Sequence, residues 1–186
     1  MRRRRQRLIS LALLGGLLGW GWPAMSSAAT TYGPSWGRFT AAFPSTPTES
    51  GNLLKQLTGV KGAVAGYGFA VTKDKHLFSS SSTGPTVPTY EVVTVQFSSA
   101  DVASSAIASV RKQLSNPKNV TVGAAKGFKA FGTVAATKKS KGHAATKGYT
   151  LGVEFLTKAS TGYQVVVETS TSAAATAFVA SVRPVS

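Results

Sequence analysis

Two runs near the C-terminus constrain the fold most. Tyr149–Lys158 and Tyr163–Thr169 are rich in β-branched and aromatic residues, and only Ala159 to Gly162 separate them. Such residues suit a pleated, half-buried surface. Four residues cannot return a chain to the start of a parallel strand, which takes a dozen or more. The two runs therefore form an antiparallel hairpin.

The remaining periodicities extend this sheet. Tyr90–Phe97 reads as a further strand. Gly62–Val71 reads as a glycine-rich strand with close backbone approach. Trp36–Phe43 alternates Arg38, Thr40 and Ala42 against Phe39, Ala41 and Phe43, and Pro44 and Pro47 end it. Asn119–Val122 and Gly127–Thr137 are shorter strand candidates, and Asn52–Leu57 fits a strand or a helical turn. Thr30–Ser35 reads as an irregular lead, and Lys73–Pro88 and Lys138–Lys147 as loops.

Two helices are expected. Ser98-Ser99-Ala100-Asp101 resembles a capping box, and Val102, Ala106, Ile107, Val110 and Leu114 follow at helical spacing up to Asn116-Pro117. Ala173–Val182 forms a second helix capped by Ser172, with Ala174, Phe178 and Val182 on one face. The fold class is α+β: a mostly antiparallel sheet flanked by a few helices.

Residues 1–29 read as a secretory signal. Five arginines precede the apolar run Leu8–Trp22, and Pro23 and Ser26-Ser27-Ala28-Ala29 follow. The apolar run is short of the roughly 20 residues of a membrane span, so cleavage is favoured over a retained anchor. Arg7 speaks against the twin-arginine route. The expected address is secreted or extracytoplasmic, with residues 30–186 as one domain. The chain has no cysteine, so thiol chemistry, thiolate metal sites and disulfides are excluded. Losing the five arginines takes the formal charge from +15 to +10. A surface this basic favours anionic partners.

Several motifs together resemble the PsbP-like domains of exported bacterial proteins. Phe39-Thr40-Ala41-Ala42-Phe43-Pro44-Ser45-Thr46-Pro47 is similar to their F-x-V-x-F-P-G-x-P opening, with Ser45 in place of glycine. Tyr90–Phe97 resembles their central strand, and Gly162–Val167 a late one. Ala177–Pro184 resembles their closing F-x-x-S-F-R-P, with Val182 for phenylalanine. The resemblance implies an antiparallel sheet flanked by helices and a non-enzymatic accessory or binding role. It carries over no catalytic residue.

No cofactor, metal or catalytic constellation is expected. His76 and His143 each neighbour lysines and lack a second histidine at ligand spacing. Ser109–Lys112 and Ser115–Lys118 match Ser-x-x-Lys, but in a late helical turn and without a Lys-Thr-Gly partner. Gly62, Gly66 and Gly68 lack the following Gly-Lys-Ser/Thr of a phosphate loop. Asn119-Val120-Thr121 is a glycosylation sequon in a bacterial-looking context.

Two sets of residues remain as candidates. A three-residue turn Ser160–Gly162, with Gly162 left-handed, would set Glu154 directly opposite Glu168. Like charges facing each other need a cation such as Lys129, a ligand, or a shared proton. The second set is basic: Lys126, Lys129, Lys138, Lys139, Lys141, His143 and Lys147, interleaved with Phe128 and Phe131. Such a stretch can hold phosphates and stack bases. For an exported protein, an anionic envelope polymer or lipid head groups are more natural partners than nucleic acid. The expected function is a non-enzymatic binding or accessory protein of the envelope. The alternatives are a small hydrolase using Glu154 and Glu168, and an interaction subunit docking through segment 59–71.

Overall fold

The computed structural model describes residues 30–51, 53, 57, 60–72, 87–136 and 148–185. The expected signal, residues 1–29, lies outside them. A seven-stranded antiparallel sheet forms the centre. Its strands are β3 (Thr48–Ser50), β4 (Ala63–Val71), β5 (Thr89–Phe97), β6 (Lys118–Val122), β7 (Ala125–Val134), β8 (Tyr149–Lys158) and β9 (Thr161–Thr169). In space they run β3-β4-β5-β9-β8-β7-β6. A small second sheet pairs β2 (Phe39–Phe43) with β1 (Thr30–Tyr32) and β10 (Arg183–Pro184), both antiparallel. The α+β class is as expected, with helices α1 (Ala100–Arg111) and α2 (Ser172–Ser181).

The two helices lie on opposite faces of the large sheet because successive strand side chains alternate. On one face, Val92, Leu156, Tyr163, Val165 and Val167 pack with Phe39 and Phe43 of β2 and Phe178, Val179 and Val182 at α2. On the other, Val93, Val95 and Phe97 pack with Ala103, Leu53 and Leu57. Farther along that face, Phe128, Val153, Phe155 and Val166 meet Ile107, Val110 and Leu114. The amphipathic spacing of α1 is thus spent on this surface.

Local expectations fail where tertiary pairing overrides them. Thr30–Tyr32 is a strand, because Ala41–Phe43 offers it a pairing edge. Trp36 lies in a 3-10 turn, Ser35–Gly37, and the strand begins only at Phe39. The α2 cap is Thr171, whose Oγ1 accepts from Ala174 N at 3.3 Å. Ala175, Phe178 and Val179 form the buried side of α2, so Ala174 is displaced by one position. In α1, Ser99 Oγ accepts from Val102 N, as a cap should.

At the far edge, β6 pairs only with Ala125–Lys129. Among the described residues, Ala130–Val134 of β7 therefore has a strand partner on one side alone, β8. Phe131 and Val134 are exposed there. No helix among the described residues is long and apolar enough to cross a membrane.

Candidate functional site

The β8–β9 turn differs from expectation, and the difference dissolves the proposed carboxylate pair. Lys158 pairs with Thr161, so the turn holds only Ala159 and Ser160. Ala159, not Gly162, takes the left-handed conformation, at φ 51°. Gly162 lies in the strand beneath Phe97, where a Cβ would come 2.8 Å from Phe97 Cε2. The close aromatic approach demands glycine inside β9 and pushes the turn toward Ala159. Glu154 then faces Val165, and Glu168 faces Leu151. The two acids sit on opposite faces of the sheet, so no acid/base pair forms between them.

Each acid is nevertheless buried. Glu154 is 2 % exposed, and Lys129 stands directly opposite it on β7. Burial pushes its carboxyl up to about 7, against the opposing pull of Lys129 and Arg183. Glu168 is equally buried, and burial lifts it to about 7. On its face lies Glu91, which sits opposite Val166, one pleat along from Glu168. Burial and then the charge of Glu168 push Glu91 up to about 8. One oxygen of Glu154 and one of Glu168, Oε2 in each, have no hydrogen-bonding partner among the described residues. The like-charge neighbour of Glu168 is therefore Glu91, which sequence reasoning missed; its position inside a continuous apolar run was the available signal.

Of the basic candidates, Lys138, Lys139, Lys141, His143 and Lys147 lie outside the described residues, as does His76. Lys126 and Lys129 are both on β7 but point to opposite faces, being three residues apart. Lys118 of β6 faces Lys129. Phe128 is buried, with the Arg111 guanidinium 5.7 Å from its ring centre, while Phe131 is exposed. Arg111 also donates to Asn119 Oδ1, which ties the end of α1 to β6. Of the two Ser-x-x-Lys matches, Ser109 donates its hydroxyl to Ser105 O at 2.9 Å, an ordinary helical back-bond. Within segment 59–71, residues 63–71 form β4 inside the sheet, with Gly66 under Leu57. No group of three or more potential metal ligands occurs among the described residues.

The structure also forms a cleft that sequence reasoning did not find. It is an open depression of about 410 Å³ between the 3-10 turn and the ends of β4, β5 and β9. One wall is aromatic: Trp36 is 44 % exposed, with its ring 4.8 Å from Tyr67 and 4.9 Å from Phe69. The floor is polar, built from Thr94, Gln96 and Thr161 on three adjacent strands. Thr161 Oγ1 donates to Gln96 Oε1 at 3.0 Å, and Gln96 Nε2 donates to Ser160 Oγ. These bonds fix the amide's orientation.

Arg38 lines the same cleft and, among the described residues, supplies its only charge. Its backbone is left-handed, at φ 54°, which is costly for a residue with a Cβ. Three bonds hold it there. Arg38 N donates to Ser35 O at 3.3 Å; Arg38 O accepts from Val185 N at 2.9 Å and from Tyr163 Oη at 3.0 Å. Tyr163 is a core residue of β9, so the Arg38 main chain is anchored to the rigid sheet. No family of known proteins and no curated protein matches the chain, and its function is read from this geometry.

Proposed function

We propose that the protein is a secreted, non-enzymatic binding module of the cell envelope that engages an anionic polymer through its cationic surface. The observation that carries this reading is the sorting of charge. Of six acidic residues in the chain, Glu91, Glu154 and Glu168 are inside the protein. Among the described residues only Glu49 and Asp101 remain as exposed acids, against nine lysines and arginines, none of them buried. A protein that needed charge for solubility alone gains nothing from hiding half its acids, which costs desolvation. Hiding them raises the positive potential outside, and that attracts polyanions. The PsbP-like resemblance belongs to the same proposal. Its support is the layered arrangement of one helix, an antiparallel sheet and a second helix.

The test is binding to a polyanion and to anionic vesicles across a salt series. Affinity for the polymer should fall steeply with salt, and a Lys118/Lys126/Lys129 triple alanine variant should show a shallower slope. A Lys138/Lys139/Lys141 variant probes the second lysine cluster in the same way. Salt-independent binding, or none at low salt, overturns the proposal. Preference for vesicles over polymer would reassign the ligand to lipid head groups.

A further inference from the structure

We infer that the Trp36–Arg38 cleft is a binding subsite for one carboxylate-bearing pyranose, that is, for a uronic acid unit of an acidic saccharide. This deepens the polymer reading above and rests on it. Three properties of the cleft select the ligand class. The first is the aromatic wall. Trp36 and Tyr67 expose a π-surface whose negative faces attract the polarised C–H groups of a sugar ring. A tryptophan held nearly half exposed, while its ring also contacts Phe69 of the core, is a fixed platform.

The second property is the floor. The Thr94 hydroxyl can donate or accept, Thr161 Oγ1 can still accept with its proton given to Gln96, and Gln96 Oε1 keeps one lone pair, which suits the mixed demands of sugar hydroxyls. The Gln96–Thr161–Ser160 bonds hold these groups in place before any ligand arrives. The third property is the single guanidinium. The main chain that carries it is left-handed and anchored, and a planar guanidinium suits a carboxylate in two parallel hydrogen bonds. No acidic residue lines the cleft to neutralise it. At about 410 Å³ the space suits one or two sugar units, not a folded partner. Lys158, opposite Thr161 on the next strand, extends the cationic track for the chain that continues beyond the subsite.

The chain carries three tryptophans, two of them within the first 29 residues. In a full-length variant with Trp20 and Trp22 changed to phenylalanine, Trp36 is the sole tryptophan and its fluorescence reports the cleft. Titration with trigalacturonate should give a saturable change, and maltotriose, a neutral α-1,4-linked trisaccharide of similar size, should bind at least about tenfold more weakly. Arg38→Asn keeps a residue that tolerates the left-handed conformation but removes the guanidinium. It should weaken trigalacturonate about tenfold or more while leaving thermal unfolding little changed. No saturable change, equal affinity for maltotriose, unaltered affinity in Arg38→Asn, or tighter binding of adenosine monophosphate each overturns the inference. If the polyanion binds with its steep salt slope while trigalacturonate does not bind, the cleft assignment falls and the polymer reading stands. If trigalacturonate binds but the polyanion does not, the cleft assignment stands and the polymer reading falls.

Discussion

At the scale of single residues, backbone proximity decides which positions tolerate change. Gly127 of β7 lies so close to β8 that a Cβ would sit 1.8 Å from the Phe155 carbonyl oxygen. That neighbour is main chain and cannot rotate away. Gly127→Ala should therefore destabilise by about 1–3 kcal/mol or more through strand displacement, read as a lower denaturant midpoint. An unchanged midpoint would mean that β7 and β8 sit farther apart. Arg38 illustrates the opposite case. Its alternation with Phe39 and Thr40 looked like ordinary strand pattern in the sequence. Only the bonds from Tyr163 and Val185, 125 or more positions away in the chain, reveal the left-handed bend that sets it at the cleft.

At the scale of elements, legibility followed the hydrophobic period. Tyr149–Lys158 and Tyr90–Phe97 were recognisable because β-branched and aromatic residues are concentrated in them. The first matches β8 from end to end, and the second misses only Thr89 of β5. Short elements lacked such a run: Thr48–Ser50 became a strand only because β4 offers it an edge. Turn register was the least legible feature. Placing Gly162 at the left-handed position followed glycine's usual use, whereas the structure needs that glycine under Phe97. The expected facing of Glu154 and Glu168 failed for this reason alone. Helix capping offers a clean check of a similar one-residue displacement. Thr171→Ala should cost about 1 kcal/mol in chemical denaturation, while Ser172→Ala should stay within about 0.5 kcal/mol. The reverse ranking would restore Ser172 as the cap.

At the scale of the whole molecule, the buried acids make stability depend on pH. Folding raises the carboxyls of Glu154 and Glu168 to about 7 and that of Glu91 to about 8, all from 4.5. A folded state that holds protons more tightly is favoured at low pH. The contribution is therefore full below about pH 4.5 and is lost as pH rises through about 7 to 8. Each group steepens the decline by at most about 1.4 kcal/mol per pH unit. The melting temperature should fall between pH 5 and pH 8.5. Glu91→Gln should flatten that fall, leaving the pH 5 value nearly unchanged and raising the pH 8.5 value. A flat profile in the parent protein would show that the three acids find compensating partners. None of this was visible in the composition, which counts charges without saying which are inside. Three-dimensional placement converts a basic chain into a still more cationic surface.

That surface also bears on the stretch of β7 that, among the described residues, is paired on one side alone. Ala130–Val134 carries no charge and no proline, the devices by which exposed strand edges normally refuse to pair with another copy. Here the refusal is supplied from a distance, by mutual repulsion between like-charged molecules. Such repulsion reaches only about 8 Å at physiological ionic strength and less in concentrated salt. The same ions that release the protein from a polyanion therefore also lower its resistance to edge-to-edge self-association.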